Sequence, residues 1–96
     1  MQNDSWVVYL VLCQDATFYC GITNNLEKRI KTHNNGAGAA YTSHRRPVKL
    51  IVVSKIMSHS EAAKLEHRVK RKRKEKKIDF LRLFERGFHE TSNHQN

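Results

Sequence analysis

Arg29 and His33 stand four residues apart in a stretch, Leu26 to about Asn34, whose pattern is helical. At 100° per residue Leu26, Ile30 and His33 fall within about 60° of one another, with Arg29 at the edge of the same face. A surface helix would turn an arginine and a histidine away from its apolar stripe. They are either a snorkelling arginine beside a hydrogen-bonded core histidine or a pair held for chemistry. Glu66 raises the same question on a later helix, about 40° from Ala62 and inside the stripe of Ala62, Leu65 and Val69. A carboxylate facing a core costs several kcal/mol unless a cation meets it. That cation is either Arg29, in an ion pair, or a hard divalent ion such as Mg²⁺. Tyr9 and Tyr19 each lie within an apolar run, as ordinary core tyrosines or as members of the same group.

Whether the two phenols meet depends on register. An even loop between their strands puts residues 9 and 19 on opposite faces. An odd loop, or one β-bulge, puts them on the same face. Gly21, two residues after Tyr19, marks a bulge or a close approach and favours the shared face. Two phenols, a guanidinium, an imidazole and a carboxylate would then converge at one end of a sheet. That set suits phosphodiester hydrolysis: a metal on the carboxylate to neutralise charge, the guanidinium for two-point contact with phosphoryl oxygens, and a phenol or imidazole to take a proton from water.

The elements that must position these residues follow from patterning. Trp6 to Cys13 is a β-branched and aromatic run that reads as a strand buried on both faces. Gln14 to Thr17 is a turn, and Phe18 to Ile22 a second strand, making a hairpin. Thr23, Asn24 and Asn25 offer N-caps for the first helix, which Asn35-Gly36 ends. Ala37 to Arg46 is a small basic loop, and Val48 to Ile56 a third strand. Ser58 and Glu61 form a capping box for a helix running to about Lys74. A last helical stretch spans Lys76 to Phe84, and Gly87 stops it. The order β-β-α-β-α-α predicts an α+β fold, a small three-stranded antiparallel-type sheet flanked by about three helices. One domain would span residues 1–86, followed by a polar tail, 87–96.

The chain has 96 residues, 18 Lys+Arg against 9 Asp+Glu, and a formal charge of +9. That length holds one thin core and no second domain for a cofactor or targeting role. The charge attracts polyanions, nucleic acid first and an anionic membrane surface second. No apolar run approaches a membrane span, and Met1 to Ser5 is not a secretory leader. Cys13 and Cys20 read as buried free thiols, implying a reducing compartment, cytoplasmic or nucleoid-associated.

These residues together resemble the GIY-YIG nuclease family. Its first motif is similar to Val7-Val8-Tyr9 and its second to Tyr19-Cys20-Gly21, with Val7, Val8 and Cys20 replacing the family's Gly and Ile residues. Thr23, Arg29, His33 and Glu66 match its further positions. Gly38-Ala39-Ala40-Tyr41-Thr42 and Arg45-Arg46-Pro47-Val48-Lys49-Leu50 resemble the small stand-alone UPF0213 group, and the likeness covers Trp6 to about Phe84. The resemblance implies a metal-dependent endonuclease that cuts one strand through one Mg²⁺ or Mn²⁺ ion and leaves 5′-phosphate and 3′-hydroxyl ends. Glu66 would hold the metal and Arg29 would stabilise the transition state. Tyr9 would activate water, with Tyr19 positioning it or the phosphate, or the two exchanged. His33 would assist Tyr9 or contact the phosphate, and Gly21 and Thr23 would belong to the structural motif.

Eight of the ten residues from Arg68 to Lys77 are Lys or Arg. Arg68, Lys70, Arg71 and Arg73, with Arg45 and Arg46, are candidate phosphate contacts. Tyr41 either stacks on a base or packs its loop. The expected partner is single-stranded or structured DNA, with RNA also open. The rival reading is a basic nucleic-acid-binding module without catalysis, and a third is a membrane-surface role for the basic helix. A binder has no reason to keep an inward carboxylate, which repels phosphate.

Overall fold

The computed structural model describes residues 4–85. Its elements are β1 (Val7–Leu12), β2 (Phe18–Thr23), α1 (Leu26–Asn34), α2 (Ala40–Ser43), β3 (Lys49–Val53), α3 (His59–Lys70) and α4 (Lys74–Arg82). The three strands form one antiparallel sheet in the order β2-β1-β3. The expected α+β architecture is therefore present. The expected tail, 87–96, lies outside the described residues.

β1 is central, and Val8, Tyr9, Leu10 and Val11 are all fully buried. Both faces of the strand are covered, which is why its sequence is apolar without alternation. On one face Val8, Leu10, Cys20 and Val52 pack against Ala62, Leu65 and Val69 of α3 and Leu81 of α4. On the other, Tyr9, Val11, Cys13 and Val48 pack with Tyr19 and with Leu26 and Ile30 of α1. Burying one Leu or Val side chain stabilises the fold by about 1.5–3 kcal/mol, so the α3–sheet layer is the larger apolar store.

The hairpin turn is built by Asp15, whose Oδ1 accepts from Thr17 N (3.1 Å) and Thr17 Oγ1 (2.6 Å). The connection is residues 13–17, an odd number, and the register is unbroken: Tyr9 faces Gly21 and Val11 faces Tyr19. Cross-strand partners point to the same side, so both tyrosines lie on the α1 face. The register shift in the sheet falls between β1 and β3, at Leu10/Val11. Gly21 therefore marks a close approach, not a bulge.

Several boundaries differ from the sequence expectation, those of β1 and β2 by one residue. β3 starts one residue later and ends at Val53. There the Ser54 hydroxyl takes Val8 N (2.9 Å) and Lys55 N bonds Phe84 O (2.7 Å). α3 stops at Lys70, not Lys74, and α4 begins at Lys74 and ends at Arg82. Arg71 to Lys74 offer nothing to bury, so the chain turns there and returns Ile78, Phe80 and Leu81 to the sheet. Lys77 Nζ closes the turn by donating to the α3 carbonyls of Val69 (3.0 Å) and Lys70 (3.1 Å). Lastly, the loop expected over 37–46 contains the single helical turn α2.

Candidate active site

α1 carries the first two groups. Asn25 caps it, its side chain accepting from Lys28 N (3.2 Å), and Thr23 Oγ1 accepts from Asn25 N (3.0 Å). The cap fixes the helix so that Arg29 and His33 lean over the Tyr9 face of the sheet. Tyr9 Oη lies 2.8 Å from His33 Nε2 and accepts from Arg29 Nε at 3.3 Å. Tyr9 and His33 are fully buried, whereas Arg29 and Tyr19 are half-buried. The Tyr19 ring centroid is 5.4 Å from that of His33 and 6.5 Å from that of Tyr9. A hollow of 270 Å³ lined by Thr23, Asn24, Asn25, Lys28, Arg29 and Thr32 lies beside the guanidinium.

Two glycines make room for this cluster. A Cβ on Gly21 would stand 2.5 Å from Tyr9 Oη, and one on Gly38 would stand 2.5 Å from His33 Nδ1. The strand glycine is thus required by the Tyr9 ring that lies across it. Gly38 and Thr42 belong to the loop signature read from the sequence, but their contact with His33 is not visible there. Thr42 is fully buried, and its Oγ1 is 2.7 Å from His33 Nδ1. Their signal was the glycine of the loop and the threonine after Tyr41. Asn34 escaped the sequence reading: its amide both accepts from Val48 N (2.7 Å) and donates to Val48 O (3.2 Å), tying α1 to the start of β3.

Burial and hydrogen bonding set the charge states. Burial pushes the Tyr9 phenol above its usual range, and Arg29 opposes this. Burial, with Arg29 adding repulsion, holds the His33 imidazolium form down, so the ring is neutral at neutral pH. The bond to Tyr9 raises the already high pKa of Arg29.

Glu66 arrives from the other layer. α3 packs on the opposite face from α1, and Glu66 reaches the edge at β2, where its Oε2 pairs with Lys70 Nζ at 3.2 Å. Lys70 Nζ also lies 5.8 Å from the Tyr19 ring centroid, which links the carboxylate to the tyrosine face. Glu66 therefore does not form the ion pair with Arg29 that its inward position suggested. Cys20, on the same strand edge, is pushed up to about 12 by burial, with the Glu66 charge adding to it.

Among the described residues no group of three or more His, Cys, Asp or Glu forms a closed metal cage. One carboxylate still fits Mg²⁺, which keeps several waters and completes its shell with substrate phosphate oxygens. Lys70 is half-exposed, and such a pair contributes about 0–1 kcal/mol, too little to hold the carboxylate against a divalent ion.

The remaining candidates separate. Tyr41 is exposed, its ring stacked 5.8 Å from that of Tyr19 at 29° and the Arg45 guanidinium 4.0 Å from its centroid. Arg45 also binds Asp15 Oδ2 (2.9 Å) and Tyr41 O (2.7 Å), and Arg46 Nε donates to Ser43 O (3.1 Å). Both arginines thus organise the loop. Arg68 sits over Phe80 (5.1 Å) on the α4 side, Arg71 is exposed, and Arg73 pairs loosely with Glu75 (3.8 Å). Of the basic tract, Lys70 alone has a side-chain contact with this cluster among the described residues.

The family model of the GIY-YIG catalytic domain matches residues 5–79. The chain is 42% identical over 81 residues to a UPF0213 protein of Bacillus velezensis, covering 84% of this chain and 82% of that one. It is 43% identical over 77 residues to the UPF0213 protein YazA of Bacillus subtilis, covering 80% and 78%. A solution NMR structure of an E. faecalis protein matches with a TM-score of 0.59 at 38% identity, over 86% of this chain and 88% of that one. Another, of a UPF0213 protein from Bacillus halodurans, matches with a TM-score of 0.50 at 32% identity, over 93% and 95%.

Proposed function

The chain belongs to the GIY-YIG catalytic-domain family, and from that premise we propose that it is a metal-dependent endonuclease that hydrolyses phosphodiester bonds of DNA. The observation that carries the reading is the bonded cluster of Tyr9, Arg29 and His33 with half-buried Tyr19 beside it. A chain that only bound nucleic acid would need its cations at the surface. It would have no use for a neutral, buried histidine and phenol joined to a half-buried guanidinium.

Arg29 stabilises the charge that develops on the phosphate, its guanidinium giving two-point contact with phosphoryl oxygens. Its Nε is anchored on Tyr9, so it is ordered before substrate arrives. Tyr9 is fully enclosed and cannot meet solvent in this arrangement. The half-buried Tyr19 is the phenol that can reach the attacking water, and Tyr9 and His33 form the proton-holding pair behind it. Of the two assignments that the resemblance leaves open for the tyrosines, this is the exchanged one. Glu66 would hold one Mg²⁺ or Mn²⁺ ion, whose chemistry when bound is to neutralise phosphate charge and acidify a coordinated water.

A small basic surface reads backbone and shape more readily than base sequence, so single-stranded or structured DNA is the proposed substrate. Lys70, at the cluster, and the exposed Arg71 that follows it are the proposed backbone contacts. A cleavage panel of single-stranded, duplex, flap and junction DNA, and of RNA, with Mg²⁺ and with Mn²⁺, tests this. Cleavage strongest on single-stranded or branched DNA is expected, leaving 5′-phosphate and 3′-hydroxyl ends. Binding without cleavage across the whole panel would leave the non-catalytic binder, and tighter binding to anionic vesicles than to oligonucleotides would favour a membrane-surface role.

A further inference from the structure

Four hydrogen bonds run in series through the buried cluster, and their direction is set from the Arg29 end, where the enclosed Tyr9 hydroxyl receives Arg29 Nε–H and needs His33 Nε2 as its own acceptor. The Thr42 hydroxyl donates to the Ala39 carbonyl at 3.0 Å, an oxygen that also accepts from the Thr42 and Ser43 amides. Thr42 Oγ1 then offers only lone pairs to His33 Nδ1, 2.7 Å away, so Nδ1 carries the proton. A neutral imidazole has one N–H. Nε2 is therefore a bare acceptor, 2.8 Å from Tyr9 Oη, and Tyr9 donates to it. At the far end Arg29 Nε–H can only donate, at 3.3 Å, and the Tyr9 oxygen receives it.

We infer that Thr42 is the positioning residue that selects the His33 tautomer and thereby makes His33 Nε2 the acceptor for the Tyr9 proton. The opposite tautomer would place an N–H against Tyr9 and leave the Tyr9 hydroxyl without an acceptor in a fully buried site. With Nδ1 held by Thr42, transfer is balanced and local: the Tyr9 O–H bond breaks and the His33 Nε2–H bond forms. The products are a phenolate and an imidazolium, and no co-reactant is needed. The phenolate then accepts from both Arg29 and His33, while the Thr42 and Ala39 bonds stay as they are. Gly38 serves the same end, because a side chain there would collide with His33 Nδ1. Thr42 itself touches no substrate and acts through His33.

The kinetic consequence rests on the nuclease reading, but the tautomer does not. The test is ¹⁵N NMR of the histidine rings at pH 7.5 in the wild-type chain and in Thr42→Val and Thr42→Ser, beside cleavage kinetics. The wild type should show His33 with a protonated Nδ1 and a bare Nε2. Thr42→Ser should keep that pattern and near wild-type cleavage. Thr42→Val, nearly the same shape, should lose it, with kcat down about 10–100-fold, as when the group orienting a site histidine is removed, and KM little changed. A protonated Nε2 in the wild-type protein would overturn the inference, and this arm needs no variant to fold. So would Thr42→Val cleaving like wild type with Nδ1 still protonated. Should the wild type cleave nothing, the nuclease reading falls, while the ring spectrum still judges the tautomer.

Discussion

At the scale of single residues, the arrangement turns on how polar groups survive burial. Each is satisfied by a neighbour, and among the described residues no buried side-chain nitrogen or oxygen lacks a partner. His33 is held below its ordinary 6.5, by burial first and by Arg29 second. Its folded pKa is depressed, so the unfolded chain binds the proton more readily. The stability this neutral ring contributes is complete above pH 6.5 and is lost as pH falls from there through the folded value. Urea midpoints should accordingly drop below pH 6.5, and the His33 ring, followed by NMR, should titrate below 6.5. Gly21→Ala should displace the Tyr9 ring, since its Cβ would meet Tyr9 Oη at 2.5 Å. The expected result is loss of the Tyr9–His33 bond and a cleavage rate down by at least about 10²-fold, with melting temperature measured alongside. The convergence of Tyr9, Arg29 and His33 was legible because each is a polar residue at an apolar position of a periodic pattern. Thr42 was legible only as part of the Gly38–Thr42 signature, since its role is a contact with His33 across the fold.

The elements were legible in proportion to their length and caps. α1 has the expected bounds because Asn25 and Asn35 punctuate a nine-residue amphipathic run. The capping box of Ser58 and Glu61 is formed, with Glu61 N to Ser58 Oγ and Ser58 N to Glu61 Oε1 both at 3.1 Å. Ser58→Ala should lower unfolding free energy by about 1 kcal/mol, seen as a shifted urea midpoint, and leave cleavage unchanged because the α3 start is remote from the site. α2 was missed because four residues give no period to read. The α3–α4 break was missed because a run of cations reads as one solvated helix, and only the third dimension shows Lys77 folding back onto the α3 carbonyls. Lys77→Ala should loosen that turn, visible as faster amide exchange at Lys72, whose N–H bonds Val69 O.

At the scale of the whole molecule, the sheet separates two layers with different work. The α3–α4 layer holds most of the apolar core and carries Glu66. The α1–α2 layer holds the phenols, the imidazole and the guanidinium. The two meet at the β2 edge, where Lys70 stands between Glu66 and Tyr19. The charge of +9 is the global counterpart of that edge, drawing a phosphate backbone toward it. Binding to single-stranded oligonucleotides should weaken linearly on a log–log salt plot. Lys70→Gln should reduce the slope by about 0.7, one phosphate contact on a single strand.

The most direct measurement is cleavage of the best DNA substrate by the wild-type chain and by Glu66→Gln, with Mg²⁺ or Mn²⁺, alongside their binding to the same DNA. Metal-dependent cleavage by the wild type is expected, with a loss of at least about 10²-fold in Glu66→Gln and binding equal to or tighter than wild type. Equal cleavage by the two proteins, or none by the wild type with either metal, would contradict the account.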